Sequence, residues 1–191
     1  MRRNGFCFFF VLFAGVFVLF LSISYSPGQA IDLSGKRIDP LTDSSGKPVI
    51  LIFVRSDCPI SNRYAPKIKQ LSERYRTRAI FWMIYPDRDE SSASIRNHLQ
   101  EYAYKIPALR DPKHVLVKRS QVKVTPEAAV FNAKGELIYH GRIDNWYDSI
   151  SRSRPVATSH ELADGIEAAL HGAPLATKTA SPVGCYISDL Q

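Results

Sequence analysis

Two short, continuous apolar runs constrain the fold of this chain more than any other feature of its sequence. Residues 49–54 (VILIFV) and 79–85 (AIFWMIY) are rich in β-branched and aromatic side chains and are too short for helices. Such runs are typical of central strands that are buried on both faces. A segment with helical spacing of its apolar residues follows each run. The order strand, helix, strand, helix predicts parallel strand pairing with right-handed crossovers in an α/β domain.

The two predicted helices each show one apolar stripe. A serine at the start of the second helix is available as its N-cap. The stripe of the first helix runs from residue 60 to residue 75 and consists of Ile60, Tyr64, Ile68, Leu71 and Tyr75. The stripe of the second helix consists of Ile95, Leu99 and Tyr102.

The second half of the chain predicts an antiparallel hairpin and a terminal helix. Residues 126–143 form two strand-like runs joined by a loop at 132–135 with a late glycine. Further on, Thr158 and Glu161 have the spacing of a capping box, and Gly172 stands where a helix would stop. The apolar stripe of this predicted helix is formed by Leu162, Ile166 and Leu170. Residues 31–48 are rich in turn formers and predict turns with one short edge strand.

The first 30 residues have the layout of a secretory signal. Arg2 and Arg3 precede an apolar stretch at 6–23, and the small residues Gly28 and Ala30 suit cleavage after Ala30. The stretch is also long enough for a retained anchor that tethers the protein to the inner membrane. Both alternatives predict that the rest of the chain is exported to the periplasm or another extracytoplasmic compartment.

The remaining sequence predicts one domain with an ordinary core. The chain has 191 residues, of which 45% are hydrophobic and 23% charged. We expect the domain at 31–172 and a flexible tail without periodicity at 173–191. The basic excess is scattered and is densest at 67–78, where a glutamate interrupts it. This pattern favours a solvated helix surface and disfavours a nucleic-acid partner.

Two cysteines remain outside the first 30 residues, in a compartment where disulfides persist. Cys58 lies between the first predicted strand and its helix, where free backbone N–H groups and the helix dipole stabilise a thiolate. We therefore expect Cys58 to be a nucleophile, with Arg55 favouring its thiolate and Asp57 opposing it. The alternative is that Cys58 is a small hydrophobic residue buried at a strand end.

A local partner for Cys58 is missing. A C-x-x-C motif would place the second cysteine at position 61, where this chain has Ser61, and a serine cannot release substrate from a mixed disulfide. Cys185 is the internal candidate for a resolving thiol. The alternatives are that Cys185 is a spectator, pairs with another chain, or forms a static disulfide with Cys58.

This pattern resembles the thioredoxin-like superfamily, and within it the exported redoxins related to peroxiredoxins and to membrane-tethered thiol oxidoreductases. The resemblance covers roughly residues 46–171 and rests on Cys58 at the strand-to-helix turn and on Pro66, preceded by alanine. It rests also on the segment VTPEAAVF with its following NAKGE turn, and on IPALRDPKHVLVKRSQV before it. The resemblance implies a thioredoxin-like α/β fold, with a central mixed β-sheet flanked by helices.

The resemblance also implies an activity. Cys58 would exchange disulfides with protein thiols or disulfides, served by an external thiol reductant and without a cofactor. Pro126 would hold the facing loop through a cis peptide bond, and Thr125 would offer a backbone edge to an extended substrate. The alternative for Pro126 is a proline that merely ends a loop. The other expected substrate-binding residues are Arg55, Pro59 and Ser61.

A peroxiredoxin-like antioxidant peroxidase remains an alternative, in which Cys58 attacks a peroxide and becomes a sulfenic acid. Peroxiredoxins resembling this chain usually carry threonine or serine three residues before the cysteine, and proline four residues before that. Arg55 and Leu51 occupy these positions here, and no arginine lies at 121–131 to hold a peroxide. These departures disfavour the peroxidase.

Two further alternatives are a non-catalytic binding module and a metal module. Trp146 and Tyr147 would suit a partner interface, although we favour a lid over the core. A copper site of the kind some exported relatives carry needs a second cysteine where this chain has Asn62. The five histidines show no ligand spacing, and His98 and His171 are expected on helix surfaces. We therefore expect no metal.

Overall fold

The computed structural model describes residues 29–42, 44–188 and 190. Its strands are β1 (Ala30–Asp32), β2 (Arg37–Ile38), β3 (Val49–Phe53), β4 (Ile80–Tyr85), β5 (Ala108–Arg110), β6 (Val124–Thr125), β7 (Glu127–Phe131), β8 (Leu137–Gly141), β9 (Tyr147–Ser149), β10 (Arg152–Ser153), β11 (Thr179–Ala180) and β12 (Cys185–Tyr186). Its helices are α1 (Pro59–Arg63), α2 (Ala65–Tyr75), α3 (Ser92–Glu101), α4 (Val115–Ser120) and α5 (Glu161–His171).

Eight strands form one mixed sheet in the order β11-β8-β7-β3-β4-β5-β1-β2. The two strands predicted from continuous apolar runs, β3 and β4, pair in parallel, as expected from the sequence. The predicted hairpin is also confirmed, because β7 pairs antiparallel with both β3 and β8. Every residue of β3 is buried, so a core lies on each face of the sheet.

The predicted helix at 60–75 is divided into α1 and α2 at Tyr64. Pro66 is the second residue of α2, and a proline there has no N–H to continue the hydrogen-bond ladder of α1. The predicted stripe is nevertheless buried along its whole length. The break turns α1 into a short element that carries the residues directly after Cys58.

The second predicted helix begins as expected, whereas the start of the terminal helix differs from the prediction. Ser91 caps α3 by accepting a hydrogen bond from the Ser94 backbone N–H at 3.1 Å. The predicted capping box at Thr158 and Glu161 is wrong, because the N-cap of α5 is His160 and no side chain caps the helix. The Glu161 carboxylate instead pairs with Arg142, so a tertiary ion pair takes the group that a capping box requires. The helix ends at Gly172 in the left-handed conformation, as predicted.

Residues 173–188 differ from the expected tail without regular structure. β11 pairs in parallel with β8, and β12 pairs antiparallel with β6. The close approach of β11 requires a glycine at the end of β8, because a Cβ on Gly141 would lie 2.3 Å from the carbonyl oxygen of Ala180. Ile187 is buried in the core that contains Leu51 and Phe53, which we call the second core. This segment therefore packs against the domain at both ends.

Residues 1–28, which include the predicted apolar stretch, lie outside the described residues. Ala30, the expected last residue of the signal, is the buried first residue of β1 and pairs with Ile38. Within the described part of the chain, no helix has the length and apolar character needed to cross a bilayer.

His98 corrects one expectation, because it is buried and not on the helix surface. Asn62 donates its side-chain N–H to the carbonyl of Ser56 at 2.9 Å, so its Oδ1 accepts a hydrogen bond from His98 Nε2 at 2.9 Å. The other ring nitrogen, Nδ1, then accepts from the Tyr85 hydroxyl at 2.7 Å. This chain of hydrogen bonds ties β4 and α3 to α1 and to the loop before Cys58. His171 is exposed, as expected.

We predict that His98 makes the stability of the protein depend on pH. Burial lowers the pKa of His98 below its ordinary value of 6.5, so the unfolded chain binds more protons than the native chain as the pH falls below that value. The contribution of His98 to the free energy of unfolding is therefore complete above pH ~6.5 and is lost as the pH falls toward the folded pKa. Denaturant unfolding at pH 7 and at pH 5 measures this loss.

The variant His98→Phe should be about 1–3 kcal/mol less stable at pH 7, because Tyr85 and Asn62 lose a buried partner. It should lose less stability than the wild type between pH 7 and pH 5. Asn97→Ala, at an exposed position beside His98 on α3, is the control and should respond to pH as the wild type does. Parallel pH curves for the wild type and His98→Phe would contradict the assignment.

Candidate thiol active site

Cys58 is the N-cap residue of α1 and is 1% exposed. Its backbone is extended, with φ −86° and ψ 110°, and its carbonyl accepts the first helical hydrogen bond, from the Asn62 N–H at 3.1 Å. Pro59 fills the first helical position, where its fixed φ suits a helix and its missing N–H has no intrahelical partner to lose. The thiol does not cap the helix. It faces the loop that precedes β7.

That loop contains a cis peptide bond between Thr125 and Pro126, as the resemblance implies. Both residues are buried. The carbonyl oxygen of Thr125 lies 3.1 Å from the sulfur of Cys58. The β6 backbone therefore runs directly beside the sulfur.

Cys185, near the other end of the chain, also lies beside the Cys58 sulfur. Its position in β12 is directly opposite Thr125 in β6. The Sγ atoms of Cys58 and Cys185 lie 2.6 Å apart, and both cysteines are free thiols in the structure. The structure thus brings together the two cysteines that the sequence suggested as a pair.

The two thiols differ in acidity. Burial opposes ionisation of Cys58, but the hydrogen bonds that its thiolate would accept from the Cys185 thiol and from the Ser61 hydroxyl and backbone outweigh it and lower the pKa of Cys58. Burial and the neighbouring Cys58 raise the pKa of Cys185 to about 12. A protonated Cys58 would instead donate to the Thr125 carbonyl. In the ionised pair, the negative charge is on Cys58 and the proton is on Cys185.

Ser61 stands in the position of the missing local cysteine and is 1% exposed. Its hydroxyl has no hydrogen-bond partner among the described residues. The Ser61 hydroxyl and backbone are nevertheless among the groups that lower the pKa of Cys58. We therefore expect the Ser61 hydroxyl to turn toward the Cys58 sulfur when the thiol ionises.

Arg55 and Pro59 lie at the rim of the site. The Arg55 guanidinium is paired with Asp57 at 2.8 Å and with Asp87 at 3.2 Å. Two carboxylates therefore hold the cation that the sequence suggested as a stabiliser of the thiolate. Pro59, the residue directly after Cys58, is exposed.

Sequence reasoning missed the side chains that hold the Cys58 loop. Glu90 accepts a hydrogen bond from the Ser56 backbone N–H at 3.0 Å, and burial raises the pKa of its carboxyl. Asn62 and His98 support the same loop from α1 and α3, as described above. Glu90 lies in a polar loop after β4, where no spacing signals its partner. The proximity of His98 to Asn62 arises only when α3 packs beside α1.

Trp146 and Tyr147 lie over the junction of α1 and α2. The Trp146 ring packs edge-on against Tyr64, with 5.4 Å between ring centroids, and the Tyr64 hydroxyl donates to the Asp144 carboxylate at 2.8 Å. Arg63 donates to the Tyr147 hydroxyl at 3.2 Å. These contacts suit a cover over the core. Within the described residues, no group of three or more His, Cys, Asp or Glu side chains is arranged to hold a metal ion.

Residues 46–137 match the family model described as Thioredoxin-like. A thiol-disulfide oxidoreductase, ResA, from Bacillus thuringiensis subsp. konkukian is 28% identical over 107 residues, which cover 56% of this chain and 61% of that relative. The chain therefore spans less than two thirds of the length of the relative that it matches.

Solved structures show the same fold. An uncharacterized conserved protein from Geobacillus kaustophilus is similar with a TM-score of 0.70 and 20% identity, covering 84% of this chain and 87% of that one. A secreted disulfide oxidoreductase from Mycobacterium tuberculosis is similar with a TM-score of 0.53 and 20% identity, covering 76% of this chain and 96% of that one. With the mixed sheet, the cysteine at the start of α1 and the cis-proline opposite it, these matches show that the chain has a thioredoxin-like fold, whose residues 46–137 match the thioredoxin-like family model.

Proposed function

We propose that this protein is a thiol-disulfide oxidoreductase whose redox pair is Cys58 and Cys185. The observation that carries the proposal is the 2.6 Å separation of the two sulfurs, which come from positions 127 residues apart in the sequence. The family match and the ResA relative support the general activity. Cys185 would take the role of the second cysteine of a C-x-x-C motif, a position that Ser61 occupies in this chain.

The lower pKa of Cys58 assigns the first step to its thiolate. Cys58 attacks one sulfur of a disulfide in the partner protein, forms a mixed disulfide and releases the other partner sulfur as a thiolate. Cys185 then passes its proton to a departing thiolate and attacks Cys58. The second partner sulfur leaves, and a Cys58–Cys185 disulfide remains. The partner gains two electrons and this protein loses two.

The same steps in reverse would oxidise a partner dithiol. An external thiol reductant or oxidant would then restore the starting state. The buried backbone at Thr125 and Pro126 would align an extended partner beside Cys58, with the exposed Pro59 at the rim. Arg55 would help to bind the partner at that rim, where ion pairs with Asp57 and Asp87 hold its guanidinium in place.

We infer that this chemistry takes place outside the cytoplasm. Disulfides persist in the periplasm and other extracytoplasmic compartments. The signal-like layout of residues 1–30 supports export, and the stretch 6–23 would act either as a cleaved signal or as a tether to the inner membrane.

Exchange kinetics test the proposal. Reduced protein in a Cys7→Ser background should react with a small disulfide at a rate that follows ionisation of Cys58, with a midpoint below about 8.5, the value for an ordinary thiol. Stopped-flow mixing over a pH series measures that midpoint. Ser61→Ala should raise it by roughly one unit, because the thiolate loses a hydrogen bond.

Ser120→Ala is the matched control for Ser61→Ala. Ser120 is also buried and its hydroxyl has no partner in the described residues, but it lies in α4. The midpoint should not move in this variant. Rapid reaction with hydrogen peroxide, together with no reaction with the small disulfide, would replace the proposal with a peroxidase.

Oxidation should also stabilise the protein. A Cys58–Cys185 disulfide would close a loop of 127 residues, for which chain entropy gives about 5 kcal/mol in an unstrained bond. Denaturant unfolding of the oxidised and reduced forms measures the difference. Cys185→Ser and Cys58→Ser should each abolish it. A difference that persists in Cys185→Ser would show that another bond is responsible.

A further inference from the structure

β12 occupies the backbone edge that the proposed function assigns to a substrate. In the antiparallel pairing, Cys185 lies opposite Thr125 and Tyr186 opposite Val124. The backbone N–H of Ile187 extends the pairing by donating to the carbonyl of Lys123 at 3.0 Å. A cysteine of this chain is thus presented to Cys58 on an extended strand.

The same strand shields the nucleophile. With β12 in place, Cys58 is 1% exposed, and its sulfur contacts Cys185 and the Thr125 carbonyl. A cysteine of a partner protein therefore has too little space to reach the Cys58 sulfur beside β12. It must take the place of β12 on the β6 edge.

The residue before Cys185 is restricted by space. A Cβ on Gly184 would lie 2.1 Å from the carbonyl oxygen of Thr125 and 3.1 Å from the nitrogen of Pro126. The obstacles are backbone atoms of the buried cis-proline loop, which cannot move aside as a flexible side chain can. Any strand that presents a cysteine in this register meets the same atoms.

The two residues after Cys185 differ in how far their side chains are exposed. The Tyr186 side chain is turned to solvent, and the residue is 79% exposed. Ile187 is 5% exposed and packs in the second core. The β6 edge therefore accepts any side chain directly after the cysteine and an apolar one at the next position.

We propose that β12 is a built-in copy of the external substrate, which is an extended polypeptide segment with the order glycine, reactive cysteine, any residue, aliphatic residue. The proposal rests on the thiol-disulfide function above and names its substrate class. β12 leaves the β6 edge, and the Cys58 thiolate attacks the cysteine sulfur of a partner disulfide bound there. The second partner sulfur leaves as a thiolate and takes a proton. β12 then returns, and Cys185 displaces the partner cysteine as a thiol.

Synthetic peptides test the proposal. The peptide Pro-Val-Gly-Cys-Tyr-Ile-Ser copies residues 182–188, and its cysteine is activated as a mixed disulfide with thiopyridine, so that attack by Cys58 releases a coloured thione. The protein is the full chain with Cys7→Ser and Cys185→Ser, in which Cys58 is the remaining thiol. Alanine in place of the peptide glycine should lower the second-order rate constant about tenfold or more, as expected for a clash with fixed backbone.

Two further peptides define the pattern. Alanine in place of tyrosine should leave the rate constant within about twofold, because this side chain faces solvent. Serine in place of isoleucine should lower it, because the buried apolar contact is lost. Equal rate constants for the glycine and alanine peptides would overturn the proposal, as would a larger effect of the tyrosine change than of the glycine change.

A variant of the chain itself tests displacement. Gly184→Ala in the same background should weaken the docking of β12 and speed the reaction of Cys58 with the glycine peptide. Ser181→Ala, at an exposed position before the same strand, should leave the rate unchanged. Thiopyridine disulfide without a peptide distinguishes a failure of the proposed thiol-disulfide function from a failure of the proposed substrate class. If it does not react with Cys58, the proposed function fails. If it reacts while the peptides show no pattern, the substrate class alone is wrong.

Discussion

The pairing of β12 with β6 is the interaction on which the rest of the site depends. It sets Cys185 opposite Thr125 and brings its sulfur to 2.6 Å from that of Cys58. It also places the Cys185 thiol where its hydrogen bond lowers the pKa of Cys58. Without this two-residue strand, the described residues would present Cys58 beside a serine, with no second cysteine among them to release a partner.

The two halves of the proposed pair are held in different ways. Cys58 follows the central strand β3 and begins α1, and its loop is supported at Ser56, which donates to Glu90 and accepts from Asn62, while His98 holds Asn62. Cys185 is held by the pairing of β12 with β6 and by the packing of Ile187. A nucleophile fixed beside the central sheet and a resolving thiol on a two-residue edge strand suit a reaction in which the partner must replace β12 and β12 must then return.

The sequence predicts the parts of this fold that follow from local pattern. The central strands, the apolar stripe of α1 and α2 and the serine cap of α3 all have short-range signals, whereas the cis peptide at Pro126 was expected from the family resemblance. The burial of His98 has none, because it depends on Tyr85 and Asn62 from two other elements. The capping box at Thr158 is wrong since the ion pair of Glu161 with Arg142 takes its carboxylate. β11 and β12 are too short for periodicity and form only because the sheet and the cis-proline loop offer edges to them.

The most direct test of the account is the disulfide map of the oxidised protein. The full chain is oxidised mildly, alkylated and digested without reduction, and the linked peptides are identified by mass spectrometry. We expect a monomer in which the peptide containing Cys58 is joined to the peptide containing Cys185. Cys185 joined between two chains while Cys58 stays alkylated would contradict the pairing of the two thiols and, with it, the proposed role of β12.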